Sequence, residues 1–547
     1  MALDVALVNP ILSRDSEMSL GLLYVAEAAE RAGHRVRVLD TAFTRSPAHL
    51  WPALERFAPD VVGFTVMSVT YPQTLRLARE VKRRFGAKVV MGGPHATLYP
   101  LEVASDEWVD AAVVGDGDLS FPRLLDQIEH RQSAALPGVA HRLSGELRFD
   151  PEVPRVADLD SLPFPDRSRY DTVDAYIAAM GHSYLFGRRV LTMITSRGCP
   201  WDCSYCQPVL DHIHGKKVRI RSTDNVVSEL EWLKQRHGID GIWFCDDTFT
   251  FDSRWVTELC RKMSDRRLGL GWSCNSRVDT VSPELLAVMA EAGCEQLRFG
   301  MESGSQILLD RTMNKRTTVS ECEQAFAWAK QAGIKTWAYT MVGGLDETRD
   351  TVGETRRMLE KLAPEHIQIT MLAPLPKTYF AEKIHEHKSL RVLPHGFDDL
   401  RLFDKCVVDT DLLTHHEVKR LQQELYVDHP GFDPARVTPP ERRAWAHRHL
   451  DHVRALLGLR EKHPEIDLPP RWRLAAEVLR AALGAIPALD PLRTRARRSL
   501  MRGLLELRYR PDGTPRFGAT DTRETDPVHA AARHVPAPSA SRACGAA

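Results

Sequence analysis

Short β-branched apolar runs alternate with longer helical patterns along most of this chain, in two separate series. The first has strand-like runs at 4–10 (DVALVNP), 35–40 (RVRVLD), 60–67 (DVVGFTVM) and 88–93 (KVVMGG). Between them, LGLLYVAEAAERAGH and YPQTLRLAREVKRRFG repeat apolar residues with the period of a helix and stop at Gly or Gly-His. Such alternation implies a parallel sheet covered on both faces, and predicts an α/β, doubly wound (Rossmann-like) domain over residues 1–134. Ligands of these folds sit at the carboxyl ends of the strands. Those ends read Asn9-Pro10, Thr65 to Thr70 with Ser68 among them, Gly92-Gly93-Pro94-His95 and Gly115-Asp116-Gly117-Asp118. They are small, Gly-rich and polar, as a crevice that admits a large planar ligand requires.

Residues 135–185 break the rhythm with many prolines, notably in PEVPRVADLDSLPFPD, and read as a connector packed between domains. From Val190 a second series runs through VLTMITS, GIWFCDD, GWSCNSRVD, EQLRFGMES, KTWAYTMVGG and HIQITMLAPLP, with a helical pattern after each of the first five. Six strand–helix repeats predict a partial (β/α)6 barrel over 186–390, reactive at its strand carboxyl ends. Residues 391–512 read as a helical, Arg-rich C-terminal region. Residues 513–547, rich in Pro, Ala, Arg, Thr and Ser, read as a disordered tail in which Cys544 is incidental.

Lys+Arg and Asp+Glu are equal at 73 each, so the summed field offers no general attraction to nucleic acid or to an anionic membrane. No run approaches the roughly 20 apolar residues of a membrane helix, and the N-terminus lacks the marks of a secretory signal. The expectation is a cytoplasmic protein. Ten cysteines in so long a chain without an export signal, three of them within Cys199–Cys206, point to metal ligation rather than disulfides.

Those three lie in Ser196-Arg197-Gly198-Cys199-Pro200-Trp201-Asp202-Cys203-Ser204-Tyr205-Cys206. Thiolates spaced by three and then two residues, on a loop punctuated by Gly198 and Pro200, can wrap three corners of a cubane cluster. A fourth cysteine would complete the coordination and make an electron carrier. Three leave one iron open, able to bind the amino and carboxylate groups of S-adenosylmethionine (SAM) and pass an electron into its sulfonium. The alternative is a three-cysteine zinc site completed by His212 or His214, in a binding protein without catalysis.

The pattern CxxxCxφC, with Tyr205 as the aromatic φ, follows a strand and opens a β/α series, and so resembles the signature of the radical SAM superfamily. The resemblance implies a 4Fe-4S cluster on Cys199, Cys203 and Cys206. It also implies SAM contacts from Tyr205, from Asp246 or Asp247 after the second strand, and from Asn275 and Arg277 after the third. Glu302 and Ser303 in the ESGS segment, and Gly343 and Gly344 in the turn after the fifth strand, complete that set. For Asp246 and Asp247 the alternative is capping of the helix that begins SRWVTELC, and Glu347-Thr348 reads equally as a helix start.

A doubly wound domain ahead of such a barrel resembles the cobalamin-dependent, class B radical SAM methyltransferases, in PDVVGFTVMS, VVMGGPHAT, VVGDGD and DLDSLPFPD. The resemblance covers about residues 4–390 and makes 1–134 a cobalamin-binding domain, with Asn9, Thr65, Ser68, Gly92, Gly93, His95, Gly115 and Gly117 as candidate contacts. No Asp-x-His-x-x-Gly occurs in that domain, so no histidine is named as lower ligand to cobalt; His95 reads as a polar loop histidine. The implied chemistry uses methylcobalamin as methyl donor and a 5′-deoxyadenosyl radical to activate an unreactive carbon or a P–H phosphorus. It consumes two SAM per methyl and needs a low-potential electron donor of flavodoxin or ferredoxin type. The substrate is expected to be a small natural-product intermediate from an antibiotic pathway. The best specific expectation is P-methylation of an N-acetyl-demethylphosphinothricin-like compound, its anionic groups met by Arg197, Lys216, Lys217, Arg219 and Arg221. A phosphonate C-methylase and a cobalamin-binding radical SAM cyclase or oxidase are the alternatives. Methylthiotransferases need three more cysteines ahead of the barrel, and residues 1–198 hold none.

Overall fold

The computed structural model describes residues 2–10, 18–43, 47–132, 134–183, 188–386, 391–393 and 406–429, with a few isolated positions besides. Most of the helical region expected over 391–512, and all of the tail with Cys544, lie outside the described residues. In the first domain, strands β1 (Asp4–Asn9), β2 (Arg35–Asp40), β3 (Val61–Thr65), β4 (Lys88–Gly92) and β5 (Ala111–Val113) run parallel in the order β2-β1-β3-β4-β5. This is the flavodoxin-like doubly wound order, which reverses between β1 and β3. Strand β1 shows how both faces are covered. Val5 and Leu7 pack with Leu22, Leu23 and Ala26 of the helix Leu20–Arg31. Ala6 and Val8 pack in a second core with Leu77, Ala78 and Val81 of the helix Tyr71–Phe85. A strand buried on both faces shows no polar alternation, and DVALVN has none. Gly63 lets these layers close, because a Cβ there would stand 2.6 Å from Leu7 Cδ2.

The connector expected from residue 135 begins instead as two more strands of this sheet. Strand β6 (Val139–Leu143) pairs antiparallel with β5, and β7 (Glu146–Phe149) with β6. The two central residues of their turn, Ser144 and Gly145, both have positive φ (49° and 88°), as a tight hairpin requires. The prolines do their connecting from 151 onward. There Arg167, fully buried, donates to the carbonyls of Pro165 and Thr192 at 2.7 Å each and pairs with the buried Glu229 of the barrel's first helix. Two residues on, Arg169 pairs with Glu27 and Glu30 of the first domain. One short segment thus ties the two domains.

The connector also covers the carboxyl end of β2. Asp40 is buried there and accepts from Thr172 Oγ1 (2.8 Å), Tyr176 OH (3.2 Å) and Ala42 N–H (3.1 Å).

The second sheet has the expected six strands. Strand β8 (Val190–Met193) is followed by a two-residue antiparallel ribbon, β9 (Ser196–Arg197) with β10 (Arg219–Ile220). Then come β11 (Gly241–Phe244), β12 (Gly271–Ser276), β13 (Cys294–Glu302), β14 (Lys335–Val342) and β15 (His366–Met371). The order β15-β14-β13-β12-β11-β8 is parallel throughout. Phe244, Trp272 and Phe299 face the helices and form the core with Leu230, Leu259 and Phe326. The first helix, Thr223–His237, starts at Ser222, whose hydroxyl accepts from Asn225 N–H, and stops at Gly238 with φ 59°. The open edge at β15 is covered by the helix His415–Asp428, where Tyr426 OH accepts from Ile369 N–H at 2.7 Å and Gln422 donates to Ile369 O at 2.9 Å.

Burial pushes the Asp40 carboxyl up to about 7, against the hydrogen bonds that favour its ionised form. A carboxyl raised on folding gives stability that is complete below its ordinary value of 3.8 and lost as pH climbs through about 7. Asp40→Asn removes that titration, so its melting temperature should gain on the parent's between pH 5 and pH 8 in calorimetry. A constant difference would contradict the assignment.

Candidate active site

The ribbon β9–β10 closes the loop that carries all three cysteines, and the barrel holds the loop from inside. Ser204 N–H donates to Met313 O at 2.9 Å, and Ser204 O accepts from Phe380 N–H at 2.9 Å. Gln207 O accepts from Tyr379 N–H at 2.8 Å. The loop therefore owes its shape to β13's following turn and to the segment after β15. Cys203 is buried, Cys199 half-buried and Cys206 exposed. Burial raises the Cys199 thiol, and the neighbouring Asp247 and Cys203 charges raise it further. Thiols so placed ionise when a metal supplies the balancing charge. Three thiolates on one zinc at 2.3 Å bonds stand about 3.8 Å apart. Among the described residues, the group of three or more His, Cys, Asp or Glu ligand atoms lying within 4.8 Å of one another is His34, Asp126 and Glu129, remote from the loop. The three cysteines of the loop are not such a group. His214 is engaged elsewhere, its Nδ1 2.8 Å from Asp116 Oδ1. Nor is the His34 group a metal site: Nδ1 accepts from Leu3 N–H, leaving the proton on Nε2, which faces Asp126.

The two aspartates after β11 divide their roles. Asp246 is buried, and its Oδ1 accepts from the backbone and hydroxyl of both Thr195 and Ser196, which fixes the entry to the cysteine loop. Burial raises its carboxyl to about 6. Asp247 is exposed and close enough to Cys199 and Cys206 to perturb both. Neither caps the next helix; Asp252 does, accepting from Arg254 and Trp255 N–H. Asn275 donates to Asp246 O at 3.0 Å, and its buried Oδ1 has no partner.

Arg277, expected as a SAM contact, bonds to neighbouring protein. Its guanidinium donates to Asp279 (2.9 and 2.8 Å), Lys315 O (2.9 Å) and Cys203 Sγ (3.5 Å), and lies over the Trp201 ring at 4.6 Å. It supports the Cys203 sulfur. Glu302, at positive φ (61°) beside a register shift of β13 on β14, accepts from Tyr205 OH at 3.0 Å and from Lys315 Nζ at 2.8 Å. Lys315, 5% exposed, also donates to Tyr205 OH at 3.1 Å. Sequence reasoning missed this lysine, which stands 13 residues past Glu302 in the TMNKRT turn with no motif to mark it. Ser303 is fully buried and bonds Thr355 and Ser305 N–H, so it shapes the turn instead of offering its hydroxyl to a ligand. Gly343 and Gly344 donate their N–H groups to Glu347, whose carboxyl burial lifts to about 7. Thr348 caps the helix Arg349–Leu362.

In the first domain, several expected contacts face protein. His95 is fully buried among Tyr71, Tyr99 and Phe397, with Nδ1 3.0 Å from Ser68 Oγ; burial lowers it to about 4, so it is neutral. Asn9 is fully buried at the end of β1. A Cβ on Gly93 would meet Thr65 Oγ1 at 2.9 Å, on Gly115 Val153 at 2.6 Å, and on Gly117 Val25 at 3.2 Å. Their missing side chains make room for the chain itself, so any ligand contact from them is a backbone contact. Gly92 is open, a Cβ there meeting nothing nearer than Val113 O at 3.8 Å. At the β1/β3 switch point the exposed group is Met67, 47% accessible in the turn after Thr65.

The cations expected to meet an anionic substrate are also committed. Arg197 pairs with Asp116 and Asp118, Arg219 with Asp116, and Arg221 with Glu229, all buried. Lys216 and Lys217 remain exposed.

The radical SAM superfamily model matches residues 193–359, and the B12 binding domain model matches 14–125. An uncharacterised methyltransferase of Pyrococcus horikoshii is 32% identical over 365 residues, covering 66% of this chain and 76% of its own. The chain belongs to the cobalamin-dependent radical SAM methyltransferases. Cytidylyl-2-hydroxyethylphosphonate methyltransferase of Streptomyces wedmorensis is 28% identical, covering 59% of this chain and 68% of its own. The radical SAM methyltransferase TsrM of Kitasatospora setae, solved with cobalamin and a 4Fe-4S cluster, shares the fold: TM-score 0.64, 19% identity, 83% of this chain and 99% of that one. The methyltransferase therefore uses a 4Fe-4S cluster, SAM and cobalamin. Its residues fit them: three free cysteines on one loop, an unpartnered Asn275 Oδ1 and a free Asp247 at the barrel mouth, and an exposed Met67 at the switch point. Among the described residues no helix is long and apolar enough to cross a membrane.

Proposed function

We propose that this methyltransferase places a methyl group on an unactivated carbon or a phosphinate phosphorus of a small natural-product intermediate, and specifically on a P–H phosphinate of the phosphinothricin type. The observation that carries the radical part is the trio of sulfurs with the free Asp247 beside them and no fourth cysteine in the loop. Bound there, the cluster supplies the electron that cleaves SAM to a 5′-deoxyadenosyl radical, while cobalamin supplies the methyl group. Asp247 holds the SAM amino group, and Asn275 Oδ1 accepts from the same ligand. Asp246, through Oδ1, and Arg277 keep the loop in place. Glu302, held by Lys315 and Tyr205, gives the wall between the cluster loop and β13 a single conformation. The similarity to a phosphonate methyltransferase supports a phosphorus-bearing substrate. The internal pairing of Arg197, Arg219 and Arg221 leaves Lys216 and Lys217 to meet its charge. A flavodoxin- or ferredoxin-type donor supplies the electrons.

The test is anaerobic reconstitution with cobalamin, SAM and a panel of phosphinates and phosphonates, followed by mass spectrometry. Equal amounts of 5′-deoxyadenosine, S-adenosylhomocysteine and methylated product are expected. Formation of 5′-deoxyadenosine with an altered but unmethylated product would instead favour a cyclase or oxidase.

The two aspartates should separate in the same assay. Asp247→Asn is expected to weaken SAM binding roughly tenfold or more, the worth of one charged hydrogen bond, with an unchanged melting temperature. Asp246→Asn should lower the melting temperature first. Equal effects of both on SAM affinity would overturn the division.

A further inference from the structure

The loop that bears the cluster is fastened at both ends to the first domain, and at one place. Arg197 precedes it and Arg219 follows it, and the two are cross-strand partners in the ribbon. Both reach Asp116, in the turn after β5: Arg219 Nη2 at 2.7 Å and Arg197 Nη1 at 3.3 Å. His214, from the helix Val209–His214 within the loop, adds a third contact at 2.8 Å. Arg197 also grips Asp118 through Nη1 and Nη2, and its guanidinium lies over the Tyr24 ring at 4.9 Å. The side chains of Arg197, Arg219, Asp116 and Asp118 are at most 8% exposed. The backbone is equally close: a Cβ on Gly115 would lie 3.3 Å from Ile213 O.

Buried charges are a poor source of stability, because an apolar contact of the same size is often more stable; the best-attested benefit of a buried ion pair is to fix one register among several. Here the elements registered are the loop that holds the cluster and the β5 turn at the crevice of the B12 binding domain. We infer that Asp116 and Asp118, acting through Arg197 and Arg219, are positioning residues that hold the cluster loop in one register over the cobalamin crevice, so that a substrate radical formed at the barrel mouth meets the methyl donor. The coupling part of this inference rests on the methyl-transfer reading above; the register part does not.

Asp118→Asn keeps the shape and removes one charge, and Asp118→Glu is the conservative control. Iron and cobalamin content establish that each variant is loaded. The register is read by pulsed EPR, as the distance distribution between cob(II)alamin and the reduced cluster. The parent and Asp118→Glu should give one narrow distribution, and Asp118→Asn a broader or displaced one. In turnover, Asp118→Asn should form 5′-deoxyadenosine within about twofold of the parent rate, while methylated product per 5′-deoxyadenosine falls at least fivefold. An unchanged distance distribution in a loaded Asp118→Asn protein would overturn the inference, as would an unchanged product ratio. If Asp118→Asn loses its cofactors, Arg197→Lys, which keeps the charge and loses the fork, is measured in the same way with the same expected broadening. A parent enzyme that makes no methylated product would sink the methyl-transfer reading while leaving the EPR test of register intact.

Discussion

An arginine carries its charge at any accessible pH, so one that is buried must be met by a carboxylate or by carbonyl oxygens. Three buried arginines at the junction of this chain obey that constraint in directions that decide the whole assembly. Arg167 runs from the connector to Glu229 and the end of β8. Arg197 and Arg219 run from the ends of the cysteine loop to Asp116 and Asp118. The two parallel sheets share one apolar core through the connector, and these polar ties add a register between their carboxyl ends. A cluster at one and a cobalamin at the other can then serve one substrate.

Within the barrel mouth the polar groups fall into those that build and those that remain available. Asp246, Arg277, Ser303 and the Glu302–Lys315 pair have their hydrogen-bonding capacity engaged by neighbouring protein, apart from one buried oxygen on Asp246. Asp247 and Asn275 Oδ1 do not. Preorganisation of this kind keeps a site in shape before its ligands arrive, and leaves few groups whose loss changes binding without changing the scaffold.

The two β/α series were legible because each strand is a short apolar run and each helix ends on a glycine or a cap, as at Ser222 and Gly238. The cysteine loop was legible because its spacing is itself chemical. The hairpin Val139–Phe149 was obscured by the prolines around it, although its Ser144-Gly145 turn stood in the sequence. What could not be read was direction. A glycine at a strand end says that something comes close, but Gly93 and Gly115 are approached by Thr65, Val66 and Val153. A basic residue beside a site says that an anion is near, and for Arg197, Arg219 and Arg221 that anion is the protein's own. Lys315 joins the site through tertiary pairing alone, which leaves no local trace.

The radical chemistry requires an iron atom with a coordination position that no cysteine of the Cys199–Cys206 loop fills. EPR of the reduced, reconstituted protein before and after addition of SAM tests it most directly. About four irons per chain and a signal whose g-values shift on adding SAM are predicted, because the ligand binds the cluster itself. A signal indifferent to SAM, or a protein that takes up zinc in place of iron, would contradict it.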